Sequence, residues 1–153
     1  MRKVLLSLVA SMVIATPALA NEARIEAHGG VYWTPGATKG TTGVAAGYDV
    51  DLGSSAFVGA EVSADKILTS NTRVAFGFTG RAGIKASPAD KLYVDGGYTT
   101  KPCRYCEDAV HAGAGYEHTF GQKLYGTVAY RHFFTNNGAP DSNAVTAGVG
   151  LKF

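Results

Sequence analysis

The last ten residues constrain this chain more than any other stretch. In Ala144–Phe153, the side chains Val145, Ala147, Val149, Leu151 and Phe153 alternate with Ala144, Thr146, Gly148, Gly150 and Lys152. A period of two puts the first set on one face of a strand and the second on the other. The strand closes on Phe153, a large apolar side chain beside a free carboxylate. Such an end suits a boundary between hydrocarbon and water better than the surface of a soluble domain.

The same period recurs along the chain, separated by Gly-, Pro-, Ser- and Asn-rich breaks. It predicts eight strands: Arg24–Trp33, Thr42–Leu52, Ala56–Lys66, Thr72–Ala86, Lys91–Lys101, Ala109–Phe120, Lys123–Phe134 and the terminal strand. Eight strands of about ten residues match the smallest membrane-crossing barrels, whose strands need ~9–11 residues to cross. An even count places both termini on one side. The connections on that side, Gly53–Ser55, Ser87–Asp90 and Gly121–Gln122, are short, and the longest two, Pro102–Asp108 and Thr135–Ser142, fall on the other. Short periplasmic turns and longer outer loops are the asymmetry such barrels show. The expected fold is therefore all-β, an eight-stranded antiparallel up-and-down transmembrane barrel spanning residues 21–153.

Residues 1–20 read as a secretory signal peptide. Arg2 and Lys3 lead an apolar run from Val4 to Ala15, and Ala18-Leu19-Ala20 follows Pro17 as a cleavage pattern. The run is shorter than the ~20 residues of a spanning helix. The whole chain carries a formal charge of +2, and those two charges belong to this leader. The barrel domain has no net charge, so its composition does not point to a nucleic acid.

Alternation alone does not say which face points inward. The apolar set includes Val31, Trp33, Val44, Tyr48, Val62, Phe76, Phe78, Val94, Tyr116, Val128 and Phe134. The opposite set holds Arg24, Glu26, His28, Asp49, Glu61, Arg73, Arg81, Lys85, Asp95, His111, Glu117 and Arg131, with Gly47, Gly59, Gly77, Gly83, Gly97, Gly113 and Gly115 among them. Glycine is wasteful on a solvated face and useful in a narrow lumen filled by side chains. The aromatics also gather toward strand ends, with Trp33, Phe76, Tyr98, Tyr130 and Phe134 at one end and Tyr48, Tyr116, Phe120 and Phe153 at the other. That is the double girdle of a membrane barrel. We therefore expect the apolar set to face lipid. The charges Glu26, Asp49, Glu61, Arg73, Arg81, Asp95, Glu117 and Arg131 should pair across the lumen as an ionic plug, because unpaired buried charges are strongly destabilising.

Few residues point to chemistry. Cys103-Arg104-Tyr105-Cys106 lies in an outer loop, where oxidising surroundings favour a disulfide between Cys103 and Cys106. A metal site there would need two more ligands, for which Glu107 and His111 are near in sequence. Phe133-Phe134-Thr135-Asn136-Asn137-Gly138 resembles the His-x-Ser-Asn stretch of the lipid A deacylases, which are also eight-stranded barrels. Here Phe133 stands in the place of the His and Thr135 in the place of the Ser, and Phe133 cannot take a proton. His132 is one position off, which turns it to the other face of the strand. Neither catalytic residues, a cofactor nor a bound metal is expected.

The second half carries a recognisable series: Gly113-Ala114-Gly115-Tyr116-Glu117, Leu124-Tyr125, Ala129-Tyr130-Arg131 and Ala147-Gly148-Val149-Gly150-Leu151-Lys152-Phe153. It resembles the closing four strands of the opacity-type small outer-membrane barrels, and Gly47-Tyr48-Asp49 is similar to their second strand. The resemblance implies a Gram-negative outer-membrane protein, monomeric, surrounded by lipid and lipopolysaccharide. Some members of that family mediate adhesion or surface contact, so a structural or adhesion-like surface role is expected, and a lipid A hydrolase and a narrow solute pore stand as competing classes. A last strand ending in Phe153 likewise resembles the signal read by the barrel-assembly machinery.

Overall fold

The computed structural model describes residues 21–135 and 138–153. The expected signal peptide, residues 1–20, lies outside the described residues, as do Asn136 and Asn137 of the deacylase-like stretch. Eight strands follow in order: β1 (Asn21–Thr34), β2 (Ala37–Leu52), β3 (Ala56–Ile67), β4 (Ala75–Lys85), β5 (Asp90–Thr99), β6 (Ala109–Phe120), β7 (Leu124–Thr135) and β8 (Ser142–Lys152). Each pairs antiparallel with its sequence neighbours, and β1 pairs with β8, from Arg24↔Lys152 to Trp33↔Asn143. The sheet is a closed barrel. Closure leaves no strand edge, which is the condition for a β-structure to sit in hydrocarbon.

The side-chain period then sorts the sequence onto two surfaces. Outward point Ile25, Val44, Val62, Phe76, Phe78, Val94, Val110, Val128 and Val149, all exposed. Inward point Arg24, Asp49, Arg81, Asp95 and Glu117, all buried. Val94 and Asp95 are adjacent on β5, yet are 61% and 7% exposed. A greasy exterior around a charged interior inverts the arrangement of a water-soluble barrel. It is the arrangement of a transmembrane one. Aromatics ring both ends as expected: Phe76, Tyr98, Tyr130 and Phe134 at one, Tyr48, Tyr116, Phe120 and Phe153 at the other.

Both described ends of the chain lie at the end that carries the short turns. There Phe153 N–H donates to the Ala23 carbonyl at 2.8 Å. The turns Gly53–Ser55 and Gly121–Lys123 begin at Gly53 (φ 75°) and Gly121 (φ 76°), left-handed positions that favour glycine. The opposite end carries the longer loops between β3 and β4, β5 and β6, and β7 and β8.

Several boundaries differ from the sequence reading by a few residues, and two of the differences have a clear local cause. The expected break Pro35–Gly40 shrinks to Pro35-Gly36, and β2 begins at Ala37, opposite Thr34. Pro then Gly in this order sets up a two-residue turn, and Lys39, Gly40 and Thr41 stay in the ladder because β1 supplies partners for them. The fourth strand begins at Ala75 and not at Thr72. Asn71 takes φ 61°, which turns the chain and interrupts the alternation before Arg73.

Sidedness is directly testable. Val94 sits mid-strand on the outer surface. Val94→Lys is expected to destabilise the barrel in lipid vesicles by about 2–4 kcal/mol, read from the urea midpoint of the heat-modifiable band shift. A water-facing position would leave that midpoint unchanged.

Candidate functional site

The lumen is built in two halves. In the half near the turns, β4 carries Arg81 inward, where it meets Asp49 from β2 and Glu117 from β6. Arg81 Nε donates to Asp49 Oδ1 at 2.9 Å, and Arg81 Nη2 bonds Asp49 Oδ2 and reaches Glu117 Oε2 at 3.1 Å. Lys91 and Lys152 complete the group. Lys91 Nζ lies 2.6 Å from Glu22 Oε1 and 3.4 Å from Asp49 Oδ2, and Lys152 Nζ lies 2.7 Å from Glu117 Oε1. At the rim, Lys85 pairs with Asp51. Four carboxylates therefore face four ammonium or guanidinium groups, so this half is balanced on its own, and Arg24 of the neighbouring group borders it 3.8 Å from Asp49 Oδ1. Asp49 and Glu117 are fully buried, so each charge depends on its partners to offset desolvation.

Aromatic rings fill the space between these charges. Phe57 and Tyr125 are among the most deeply buried side chains. The Arg81 guanidinium lies 5.3 Å from the Phe57 ring centroid and 4.9 Å from that of Tyr93. Glycines give the large groups room. A Cβ at Gly47 would stand 2.7 Å from Arg24 Nη2, and one at Gly113 would stand 2.8 Å from both Arg131 Cγ and Asp95 Oδ1. The small residues of the polar face are thus sockets for the large ones.

A second group lies farther toward the loops. Arg24 Nη2 is 2.7 Å from Glu61 Oε2, an ion pair whose angles do not make a hydrogen bond. Arg131 donates to Glu61 Oε1 and Asp95 Oδ2, each at 3.0 Å. His28 lies 2.6 Å from Asp65 Oδ1 and 3.5 Å from Glu26 Oε1, and Ser63 donates to Asp65 Oδ2 at 2.6 Å. His111 is held between Thr79 and Thr99, both at 3.0 Å.

Above this group the lumen is not filled. A cavity of about 350 Å³ lies in the loop-side half, floored by Glu26, Glu61, Asp65 and Arg131. The sequence reading expected a plug throughout. The inward positions here are small, Ala75, Ala109, Ala129, Ala144 and Thr99 among them, so eight strands enclose more volume than their side chains occupy. Tyr32 and Phe133 line the apolar wall. Tyr32 donates to Ser142 Oγ at 2.7 Å, and its ring centroid is 6.0 Å from that of Phe133.

Of the predicted lumen charges, Glu26, Asp49, Glu61, Arg81, Asp95, Glu117 and Arg131 all point inward within these two groups. Arg73 does not. It is exposed, ahead of β4, and donates through Nε to the Lys101 carbonyl at 3.2 Å. Its place in the alternation was right for the lumen, but the chain has left the ladder before reaching it. Glu22, Lys91 and Lys152 were not singled out from sequence, although Lys91 and Lys152 share the parity of their strands' inward residues.

The loop end is stitched together. Cys103 and Cys106 form a disulfide. Cys103 bridges to Thr72, and the Arg73 N–H donates to the Pro102 carbonyl at 2.8 Å, so the 100–108 loop is held to the β3–β4 loop. Asp108 accepts from the Tyr98 hydroxyl and from the Lys101 N–H at 2.7 Å, which hold its carboxyl below the usual range. Pro102, Tyr105, Cys106 and Glu107 of this loop line the cavity mouth. On the outer face, His132 Nδ1 and the Tyr130 hydroxyl both meet Asn143 Oδ1, at 2.8 and 2.7 Å. Phe133 points the other way, into the lumen.

No protein-family model matches the chain, and no curated protein matches it. Solved barrels do. The N-terminal β-barrel domain of Pseudomonas aeruginosa OprF superposes with a TM-score of 0.66 at 16% identity, over 89% of this chain and 100% of that one. A de novo designed transmembrane β-barrel gives 0.55 at 18% identity, over 91% and 100%. Neisserial surface protein A gives 0.54 at 11% identity, over 87% and 97%. At these identities the likeness is one of fold.

Two measurements test the geometry. Arg81→Met leaves Asp49 and Glu117 buried beside fewer cations and is expected to cost about 3–5 kcal/mol in urea unfolding. The Asp108 contact is expected to persist from neutral pH down to the ordinary Asp pKa of ~3.9. It should be lost only below that, as pH falls through the lowered value. The Lys101 amide shift, followed by NMR in micelles, reports it, and loss of the contact above pH 5 would contradict the assignment.

Proposed function

We propose that this chain is a monomeric outer-membrane protein of the opacity-like kind, whose barrel serves as a closed anchor and whose loop end is its working surface. The observation that carries the reading is the balanced, buried ion-pair network around Arg81, Asp49 and Glu117, packed with Phe57 and Tyr125. A lumen closed in this way offers no water-filled path, so a narrow pore is the weaker reading. The outer surface suits lipid, with lipopolysaccharide in the leaflet around the loops. Export by the residue 1–20 leader and handling of Phe153 by the barrel-assembly machinery belong to the same proposal. The exposed Phe153 ring, at the turn-side girdle, agrees with it.

The reading assigns no catalytic step. His132 meets Asn143 and Asp141 on the outer face, while Ser142 is buried and bonded to Tyr32. The two side chains stand on opposite faces of the barrel wall, which does not suit a nucleophile and its base. A structural or surface-contact role through the stitched loops is what the architecture supports.

Planar bilayer recording of the refolded protein is the test. The expected result is a silent membrane at neutral pH. Steady, stepwise conductance from the unmodified protein would favour the pore and overturn the closed anchor.

A further inference from the structure

The two halves of the lumen differ in charge. Near the turns, four carboxylates (Glu22, Asp49, Asp51, Glu117) meet four cations (Arg81, Lys85, Lys91, Lys152). Toward the loops, four carboxylates (Glu26, Glu61, Asp65, Asp95) have only Arg131 and Arg24, and Arg24 is shared with Asp49 of the other half at 3.8 Å. His28 adds one positive charge at most, and the loop-side half stays acidic even then. The Asp65 side chain keeps 27% of its surface exposed and lines the cavity. Below, Asp95 Oδ1 is buried without a hydrogen-bond partner.

The same cavity has an apolar wall. Its volume, about 350 Å³, lies at the low end of the ~300–1,000 Å³ range of small-molecule sites. Tyr32, Phe133 and Tyr93 line it, and aromatic faces attract cations in desolvated sites. A closed floor means that a molecule entering from the loop end has no onward path.

We infer that this cavity binds a small organic cation, an ammonium group carried on a single-ring apolar body. The ammonium sits over Glu26 and Asp65, and the ring lies against Tyr32 and Phe133. The anion excess selects the charge, and the aromatic wall and the volume select the body. The inference rests on the closed floor proposed above and goes beyond a surface role. Bilayer recording tests the floor separately, so failure of either can be told from failure of the other.

The experiment uses the refolded full barrel in zwitterionic micelles, with phenethylamine as probe and 2-phenylethanol and phenylacetate as its neutral and anionic counterparts. Saturable NMR shifts are expected at Ala75, Thr99, Ala129 and Ala144 with phenethylamine. Both counterparts should bind at least ten-fold more weakly. Glu26→Gln with Asp65→Asn should weaken phenethylamine at least ten-fold while the protein keeps its SDS-resistant band. Ala129→Phe, which adds bulk to the cavity without removing a charge, should abolish binding and serves if the double variant does not fold. Equal binding of the alcohol, unchanged affinity in the folded variants, or shifts confined to lipid-facing residues would overturn the inference.

Discussion

Every backbone N–H and C=O of a chain in hydrocarbon must find its partner within the protein. In this molecule one pairing completes that requirement, the β1–β8 ladder from Arg24↔Lys152 to Trp33↔Asn143. Without it, β1 and β8 would present two open edges to lipid, each unpaired group costing several kcal/mol. With it, the strand count is set at eight, and eight strands set the width of the lumen. The alternation of side chains, the placement of charge and the use of glycine then follow as answers to one geometry.

A lumen of this width cannot hold a large side chain at every inward position. The chain solves this unevenly. Near the turns it alternates the largest groups with the smallest, so that Phe57 lies over Gly83, Tyr93 over Gly115 and Tyr125 over Gly150. Burial of the deepest charges is tolerable because Asp49 and Glu117 each meet more than one cation, as Glu117 meets Arg81, Lys91 and Lys152. Removing one member leaves the others partly compensated, and this redundancy distinguishes a network from an isolated buried pair. Toward the loops many of the inward residues are Ala, Ser and Thr, and part of the volume is left as a cavity.

Most of this was legible because a period of two is a strong signal when one face meets lipid. Val145 to Phe153 on β8 and Phe76 to Ile84 on β4 could be placed outward from sequence alone. Arg73 shows where that logic ends. Its parity matches Ala75 and Arg81, but a left-handed turn at Asn71 removes it from the ladder, and side-chain parity carries no information about where a strand begins. The inward aromatics Phe57, Tyr93 and Tyr125 were obscured for a different reason. A Tyr or Phe is read by habit as a girdle residue, and only its parity with Gly59, Asp95 and Thr127 marks it as lumen packing. The cavity was not legible at all, since it is a difference between the volume that eight strands enclose and the volume that their side chains fill.

The division of the lumen also explains why the loop end is reinforced where it is. A filled, charge-balanced half needs no lid, because its groups hold one another. An open half flanked by loops has no such internal support, and its shape depends on what borders it. The Cys103–Cys106 disulfide, the Thr72↔Cys103 bridge and the Asp108 contacts with Tyr98 and Lys101 all act on one loop, and residues 102, 105, 106 and 107 of that loop border the cavity. Fixing this loop lowers the entropy lost when anything settles beneath it. The rigid floor and the pinned rim therefore act together, one by stopping passage and the other by keeping the mouth in shape.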